Sequence, residues 1–428
     1  MRPRLHPPAA LAWIVWGLGA AFYLVAFYQR VAPAVLTQEL QREFALTGAA
    51  LGNLSAFYFY GYVAMQIPTG LIADRWGPRK LLTAGAALTA AGTLLFALAT
   101  TVTAANAGRL VIGAAAGVSF VAMLKIATHW MPARQFALTS GVALFVGVMG
   151  ATLAGAPLRL AADAMGWRNV MIASAILTAI VAAAIWTVVR DDPSERGYAS
   201  YFGHGAGEQG GGSAWQGLGI VLGYRNTILL YLIAGAFSGL TLMFAGLWGV
   251  PFLVTHYGYT TAEAATLASV LLVSWSASSI AWGWVSNRLG RRKAPMIAGL
   301  LASQALWAAL VFVPGWSRVA LVVLFVALGL ATSAFILTFA WAKESVPARL
   351  AGTVSGIANM GVMTGGMVMQ PLAGWVLDRY WTGALTPGGA RLYDLEAYRT
   401  AFSLLFAWGL LSLLCLLFTK ESHCRQAA

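Results

Sequence analysis

The sequence predicts an all-α membrane protein with twelve transmembrane helices in two six-helix, pseudo-symmetric bundles and both termini cytoplasmic. Three observations carry that expectation: apolar runs of membrane-spanning length, a one-sided distribution of basic residues, and two motifs that each occur twice about half a chain apart. At 428 residues, 59% hydrophobic and 10% charged, the chain carries more apolar surface than a soluble fold of that size keeps from water. Runs of about 20 apolar residues cross a hydrocarbon core as helices. They are centred near Phe22, Phe59, Ala91, Ala115, Gly150, Leu177, Leu240, Trp275, Leu306, Leu328, Met363 and Leu410.

The first run follows Arg2 and Arg4 and has the outline of a signal peptide, but it continues into "LVAFYQRVAP" and is expected to stay as the first span. With the N-terminus inside, seventeen Lys and Arg residues fall on cytoplasmic segments, among them Arg75, Arg79, Lys80, Arg134, Arg190, Arg288 and Lys420. Six fall outside: Arg42, Arg168, Arg318, Arg379, Arg391 and Arg399. That bias is the positive-inside pattern. The net charge of +13 therefore reads as topology, and nucleic acid is not an expected partner. The two cysteines, Cys415 and Cys424, lie in different environments and define no disulfide or metal framework, and no cofactor is expected.

Between the sixth and seventh runs, "RDDPSERGYASYFGHGAGEQGGGSAWQG" is polar and rich in glycine and reads as a cytoplasmic linker. It divides the chain into residues 1–189, a linker over 190–227, and residues 228–428. The halves repeat each other. "GLIADRWGPRK" (Gly70 to Lys80) returns as "GWVSNRLGRRK" (Gly283 to Lys293), and "MPARQFALTSG" (Met131 to Gly141) returns as "VPARLAGTVSG" (Val346 to Gly356). Two signatures at nearly one offset indicate internal structural repeats.

"GLIADRWGPRK" resembles the signature that joins the second and third spans in the major facilitator superfamily. Arg109, Gly113 and Gly117 in "GRLVIGAAAG" resemble that family's fourth-span pattern, and "GVALFVGVMGATLAGAP" its fifth. The resemblance runs along essentially the whole chain. It implies the major facilitator fold in a cell membrane, here the bacterial cytoplasmic or inner membrane. It also implies a cytoplasmic latch: Gly70 and Gly77 for close approach and a tight turn, Asp74 to pair with a basic group or helix N-terminus, and Arg75, Arg79 and Lys80 as its cations. In the second copy, Gly283, Gly290 and Arg291 keep the pattern, but Asn287 replaces the aspartate, so the second latch is expected to be the weaker.

Ionisable side chains at membrane depth mark substrate or ion paths. Arg30 in "FYQRVAP" and Lys125 in "SFVAMLKIATHW" are such cations. Since first and fourth spans line the cavity in the resembling family, both are expected to converge on one anion. Lys125 has Ala340 as its counterpart, which argues against a scaffold role. Arg109 is a candidate for proton handling or for helix pairing. Arg159 and Asp163, one turn apart, read as a structural pair. "TTAE" makes Thr260 and Glu263 a capping box. His129 reads as a helix-end histidine, and Lys343 with Glu344 as an interfacial pair. Tyr58, Tyr60, Asn53, Trp248, Trp275, Asn359 and Gln370 are candidates to frame a small substrate. No Asp or Glu falls at the centre of any span.

The stretch from "YQRVAP" to "MQIPTGLIADR", with "RDDPSERG" after the sixth span, is most similar to the anion:cation symporter type of the superfamily. That similarity implies a secondary active transporter for a small organic anion, working by alternating access as a monomer, with the proton as candidate coupling ion and Arg30 as the anion-binding arginine. Gln29 stands where those carriers often place an acid, so their proton relay does not transfer. A dipeptide or zwitterion carrier and a drug efflux pump are alternatives. An integral-membrane enzyme would need a clustered nucleophile and base, and the five histidines are scattered. A sensor would need a soluble output domain.

Overall fold

A computed structural model describes residues 5–201, 214–347 and 350–426, in all of which the regular structure is helical apart from one isolated antiparallel bridge, Leu385 to Arg391. Ten helices are long and apolar enough to cross a membrane. They are α1 (Ala9–Val35), α3 (Pro78–Leu98), α4 (Val102–Trp130), α5 (Leu138–Met165), α6 (Trp167–Val188), α7 (Arg225–Tyr257), α8 (Thr261–Leu289), α9 (Lys293–Phe312), α10 (Arg318–Glu344) and α12 (Leu395–Phe418). Two further 29-residue helices, α2 (Gly48–Trp76) and α11 (Ala351–Arg379), stand where the second and eleventh spans are expected. Each carries a proline within it, Pro68 and Pro371.

Side chains on these helices serve packing because backbone groups in hydrocarbon must find partners within the fold. Glycines let backbones touch: a Cβ at Gly113 of α4 would overlap the carbonyl of Tyr58 on α2, and one at Gly150 of α5 the carbonyl of Leu24 on α1. The first six helices are knit this way into one bundle. The second bundle repeats the device, with Gly361 of α11 against the carbonyl of Tyr231 on α7.

Several helices are interrupted, at matching places in the two halves. Helix α1 ends as a 3-10 turn over Ala32–Val35, and α7 widens to a π-helix over Phe244–Trp248. Helix α4 breaks at Gly117 and Val118, and α10 tightens to 3-10 over Ser333–Ile336. The causes are local. Pro33 has no N–H for the carbonyl of Gln29, and Pro251 none for that of Leu247, so the ladder must yield there.

The bundles meet on the outer side and part toward the basic, cytoplasmic side. Near the outer end, Gly52 and Gly374 press on the backbone of the opposite half, at Gln370 and Gly48 respectively, and Gly155 approaches Ser269 Oγ. Halfway in, Gly366 faces the Phe59 ring, and Asn359 Nδ2 then donates to Gln66 Oε1 at 2.8 Å. Beyond that point, no atom among the described residues lies within 4 Å of a Cβ built at Gly70, Gly141, Gly283, Gly352 or Gly356. The close approach expected of Gly70 is thus not made in this conformation.

Gly113→Ala drives a methyl group into a carbonyl that cannot yield cheaply and is expected to lower the melting temperature of the detergent-solubilised protein by several degrees, an overpacking cost of roughly 1–3 kcal/mol. Gly70→Ala, in open space, should leave it unchanged within about 1 °C. Equal losses from both would contradict this packing.

Candidate functional site

Arg30 lies one turn before the 3-10 end of α1 and is only 4% exposed. Its guanidinium carbon sits 4.1 Å from the Phe27 ring centroid, 5.3 Å from Tyr62 and 5.6 Å from Tyr58. Three aromatic faces thus supply cation–π attraction, each on the order of 1 kcal/mol and more when desolvated. That offsets part of the several kcal/mol that burial of an ion costs. Arg30 makes no ion pair with a carboxylate among the described residues, and its Nε has no hydrogen-bond partner.

The cation brought nearest to this cage is Arg109. It is 1% exposed, and its guanidinium carbon lies 5.2 Å from the centroid of a shared neighbour, the Tyr58 ring. Arg109 donates to the carbonyl of Gln29 at 2.6 Å and to that of Ser55 at 3.3 Å. The Gln29 carbonyl is the one Pro33 strips of its helical donor, so Arg109 repairs the break and ties α4 to α1 and α2. Of the two readings of this arginine, helix pairing describes its contacts. The Tyr58 hydroxyl donates to the carbonyl of Ala26 at 3.0 Å, and its ring is one wall of the cage.

The structure does not bring Lys125 to Arg30. Lys125 Nζ donates to the carbonyl of Ala73 at 2.8 Å, at the cytoplasmic end of α2, which places it with the gating signature. The side chain of Asp74, next in sequence, lies outside the described residues. The expected convergence failed because helix rotation, which the sequence does not give, turns Lys125 toward α2.

The other candidates scatter. Tyr60 donates to Asn53 Oδ1 at 2.9 Å, a half-buried pair within α2. Trp248 donates to the carbonyl of Gln370 at 2.9 Å, and Gln370 Nε2 to that of Leu242 at 2.9 Å, so both fasten α7 to α11. Asn359 bridges the two halves, as described. Trp275 stacks on Phe335 with centroids 4.4 Å apart, and its buried Nε1 has no partner.

The cytoplasmic signature is organised by residues the sequence reading passed over. Gly77 turns with φ +79°, and Asp191 caps the start of α3, accepting from the Arg79 amide at 2.6 Å. Arg79 itself caps the end of α6 through the Trp186 carbonyl, at 2.7 and 3.1 Å, while Arg75 and Lys80 are exposed. In the second half, Glu421 plays the part of Asp191, accepting from the amides of Arg292 and Lys293, each at 2.9 Å. Gly290 turns with φ +61°, and Arg291 is exposed beside it. Asn287, which stands where the first copy has Asp74, is engaged inside its own bundle. Arg292 donates to Asn287 Oδ1 at 2.8 Å and also pairs with Glu344 at 2.6 Å, the acid being supplied from α10. Glu344 is therefore the partner of Arg292, not of Lys343.

His129 is tied to Asp192 at 2.9 Å, and Ser200 donates to the same carboxylate at 2.7 Å. Burial works against ionisation of Asp192, but the hydrogen bonds from Ser194, His129 and Ser200 outweigh it and hold the group well below the usual carboxylate range. The segment just after α6 thus packs on the first bundle. On the outer side, Arg159 pairs with Asp163 as expected and also with Glu39, at 2.6 Å. Glu263 and Thr260 form the expected capping box.

Two bundles of spanning helices, closed outside and parted inside around a buried cation, have the architecture of a membrane transporter. The chain belongs to the Major Facilitator Superfamily, whose sequence profile matches residues 15–368 and 243–427. It is a multi-pass protein of the bacterial cytoplasmic membrane. It is 24% identical to a probable sulfoacetate transporter, SauU, of Cupriavidus necator, over 86% of this chain and 87% of that protein. It is also 24% identical to a D-galactonate transporter of Escherichia coli, over 83% and 87%. Among solved structures, a bacterial homologue of the lysosomal transporter Spinster, inward-facing and unoccupied, superposes with a TM-score of 0.79 at 18% identity, covering 98% of this chain and 100% of that one.

A carboxylate whose pKa is depressed in the folded protein contributes stability above its unfolded pKa and loses it as pH falls toward the folded value. Asp192→Asn is therefore expected to lower the melting temperature at pH 7, and the difference from wild type should shrink as pH drops below about 4, where the unfolded carboxyl also titrates. A difference that stays constant down to pH 3 would show that the ionised carboxylate contributes nothing.

Proposed function

We propose that the chain carries small organic anions across the membrane by alternating access, with Arg30 holding the carboxylate or sulfonate end of the cargo. The observation that carries the reading is the buried guanidinium in its aromatic cage, without a carboxylate partner among the described residues. An anion there supplies the missing counter-charge, and the planar guanidinium offers it two parallel donors. Relatives along most of the chain bear names as transporters of sulfoacetate, galactarate or D-glucarate, and D-galactonate, all small organic acids, and these names support the same cargo class.

In this reading, residues 1–189 and 228–428 rock as two units about the linker 190–227, and one copy of the chain suffices. Closure of the cytoplasmic side engages Gly70, Asp74, Arg75, Gly77, Arg79, Lys80, Gly283, Gly290 and Arg291, with Lys125 acting at the end of α2 on the gate instead of on the cargo. Tyr58 walls the cargo site from the first half, and Trp275 faces the path from the second. The proton is the proposed coupling ion, and a protonophore is then expected to abolish accumulation of cargo in energised vesicles.

The test is uptake into proteoliposomes of a panel containing sulfoacetate, D-galactonate, D-glucarate, tartrate and a dipeptide, for wild type, Arg30→Ala, Arg30→Lys and Lys125→Ala. Leaving one charge of a buried pair alone costs roughly 2–5 kcal/mol, so Arg30→Ala is expected to weaken binding about 30-fold or more. Arg30→Lys should recover part of it, while Lys125→Ala should slow turnover with little change in affinity. Uptake of the dipeptide alone, or organic-acid uptake indifferent to Arg30→Ala, would overturn the reading.

A further inference from the structure

The end of α11 repeats the end of α2. Met65, Gln66, Gly70, Asp74, Arg75 and Trp76 correspond in order and spacing to Met369, Gln370, Gly374, Asp378, Arg379 and Tyr380. The two helices run through the fold in opposite directions, so the first copy ends on the cytoplasmic side and the second on the outer side. There the second copy is engaged: Asp378 Oδ1 accepts from the Gly48 amide at 2.7 Å and Oδ2 from the Ala49 amide at 2.8 Å, across the boundary between the bundles.

Gly48 and Ala49 open α2, and their N–H groups have no carbonyl within the helix to bond. Thr47 caps only Ala50, at 3.1 Å. The positive end of α2 in the first bundle is thus completed by a carboxylate of the second, and the contact gains from the helix dipole. Two more donors reach the same carboxylate from its own half: Arg391 at 2.9 Å and the Tyr393 hydroxyl at 2.8 Å, both on the loop that follows α11. Parting of the bundles would break the two amide bonds and leave the other two in place, so Asp378 stays aimed for re-closure. Gly374, whose Cβ would strike the Gly48 backbone, lets the helices come close enough for this to happen.

We propose that Asp378 is the outer-face counterpart of the cytoplasmic signature: a positioning residue that holds the outer side closed by capping α2 and that must release Gly48 and Ala49 each time the path opens outward. Arg391 and Tyr393 are its holders. The contact is made and broken once per transport cycle.

The test reads the outer gate without any cargo and is therefore independent of the anion assignment. Cys415→Ala and Cys424→Ser give a background in which Ala265→Cys is the reporter. Ala265 is 2% exposed, and its carbonyl lies 3.5 Å from the Cβ position of Gly155 in the opposite half. In right-side-out vesicles an impermeant maleimide reaches it only when the outer side opens. Asp378→Asn is expected to raise the labelling rate about tenfold or more. Asp394→Asn is the control, because Asp394 caps α12 through the Ala397 amide at 2.8 Å with the same chemistry, wholly inside the second half. Its labelling should match the unsubstituted background. Tyr393→Phe removes one holder and keeps both amide bonds, so it should raise labelling less than Asp378→Asn does. Unchanged labelling in Asp378→Asn, or an equal rise in Asp394→Asn, would overturn the proposal.

Discussion

A single backbone carbonyl explains much of the first bundle. In hydrocarbon a main-chain group without a partner costs several kcal/mol, and Pro33 removes the donor that the carbonyl of Gln29 would have in an unbroken α1. Arg109 supplies it from α4, at 2.6 Å, and with its second nitrogen reaches the Ser55 carbonyl on α2. That one guanidinium fixes three helices at the depth where α1 bends. The bend in turn sets Arg30, the residue after Gln29, against Tyr58 and Tyr62 of α2 instead of letting it reach toward water. The buried cation is stable in its place because its neighbour has solved the problem of the broken ladder.

The same economy recurs at the cytoplasmic ends. Turns that are tight enough to reverse a spanning helix leave amides exposed, and each half brings in a carboxylate from its own last segment to receive them. Asp191 does so for α3 and Glu421 for α9. At the inner ends of α4 and α10 the polarity is exchanged: His129 meets Asp192 in one half, while Glu344 meets Ser422 and Arg292 in the other. Burial opposes ionisation of Glu421, yet the amides of Arg292, Lys293, His423 and Ser422 more than offset it and draw its pKa down. The repeat conserves an arrangement of donors and acceptors, not residue types.

This explains what was legible in the sequence. Local chemistry could be read directly: the Thr260 and Glu263 capping box, the Arg159 and Asp163 pair one turn apart, and the positions of the helices all follow from spacing along one element. Arg30 could be singled out because an arginine at that depth has few bland explanations. Its neighbours could not. Whether Lys125 or Arg109 stands beside it depends on the rotation and tilt of α4, which is broken at Gly117, and an apolar sequence on nearly every face carries little phase information. The caps Asp191, Glu421 and Asp378 were equally hidden, because each serves an amide more than 100 residues away, and only the fold supplies that distance.

In the proposed cycle the two faces close by different physics, and that difference bears on how cargo could drive it. Outside, closure rests on glycine backbones in contact and on short hydrogen bonds between Asp378 and two amides, interactions that vanish together within about an ångström of separation. An interface of that kind is open or shut with little between. Inside, the signature places exposed cations such as Arg75, Lys80 and Arg291, whose attraction falls off over a Debye length of about 8–10 Å. A ligand can shift the balance only by the difference in its affinity for the two states. Arg30 sits on α1 just below the 3-10 turn; Val31 and, from the turn, Ala34 and Val35 line an apolar seam between the bundles with Gly155, Ala245, Val250 and Leu272. In the proposed cycle an anion on Arg30 acts next to an uncharged part of the outer closure, where drawing the guanidinium by even a short distance changes how well the seam fits.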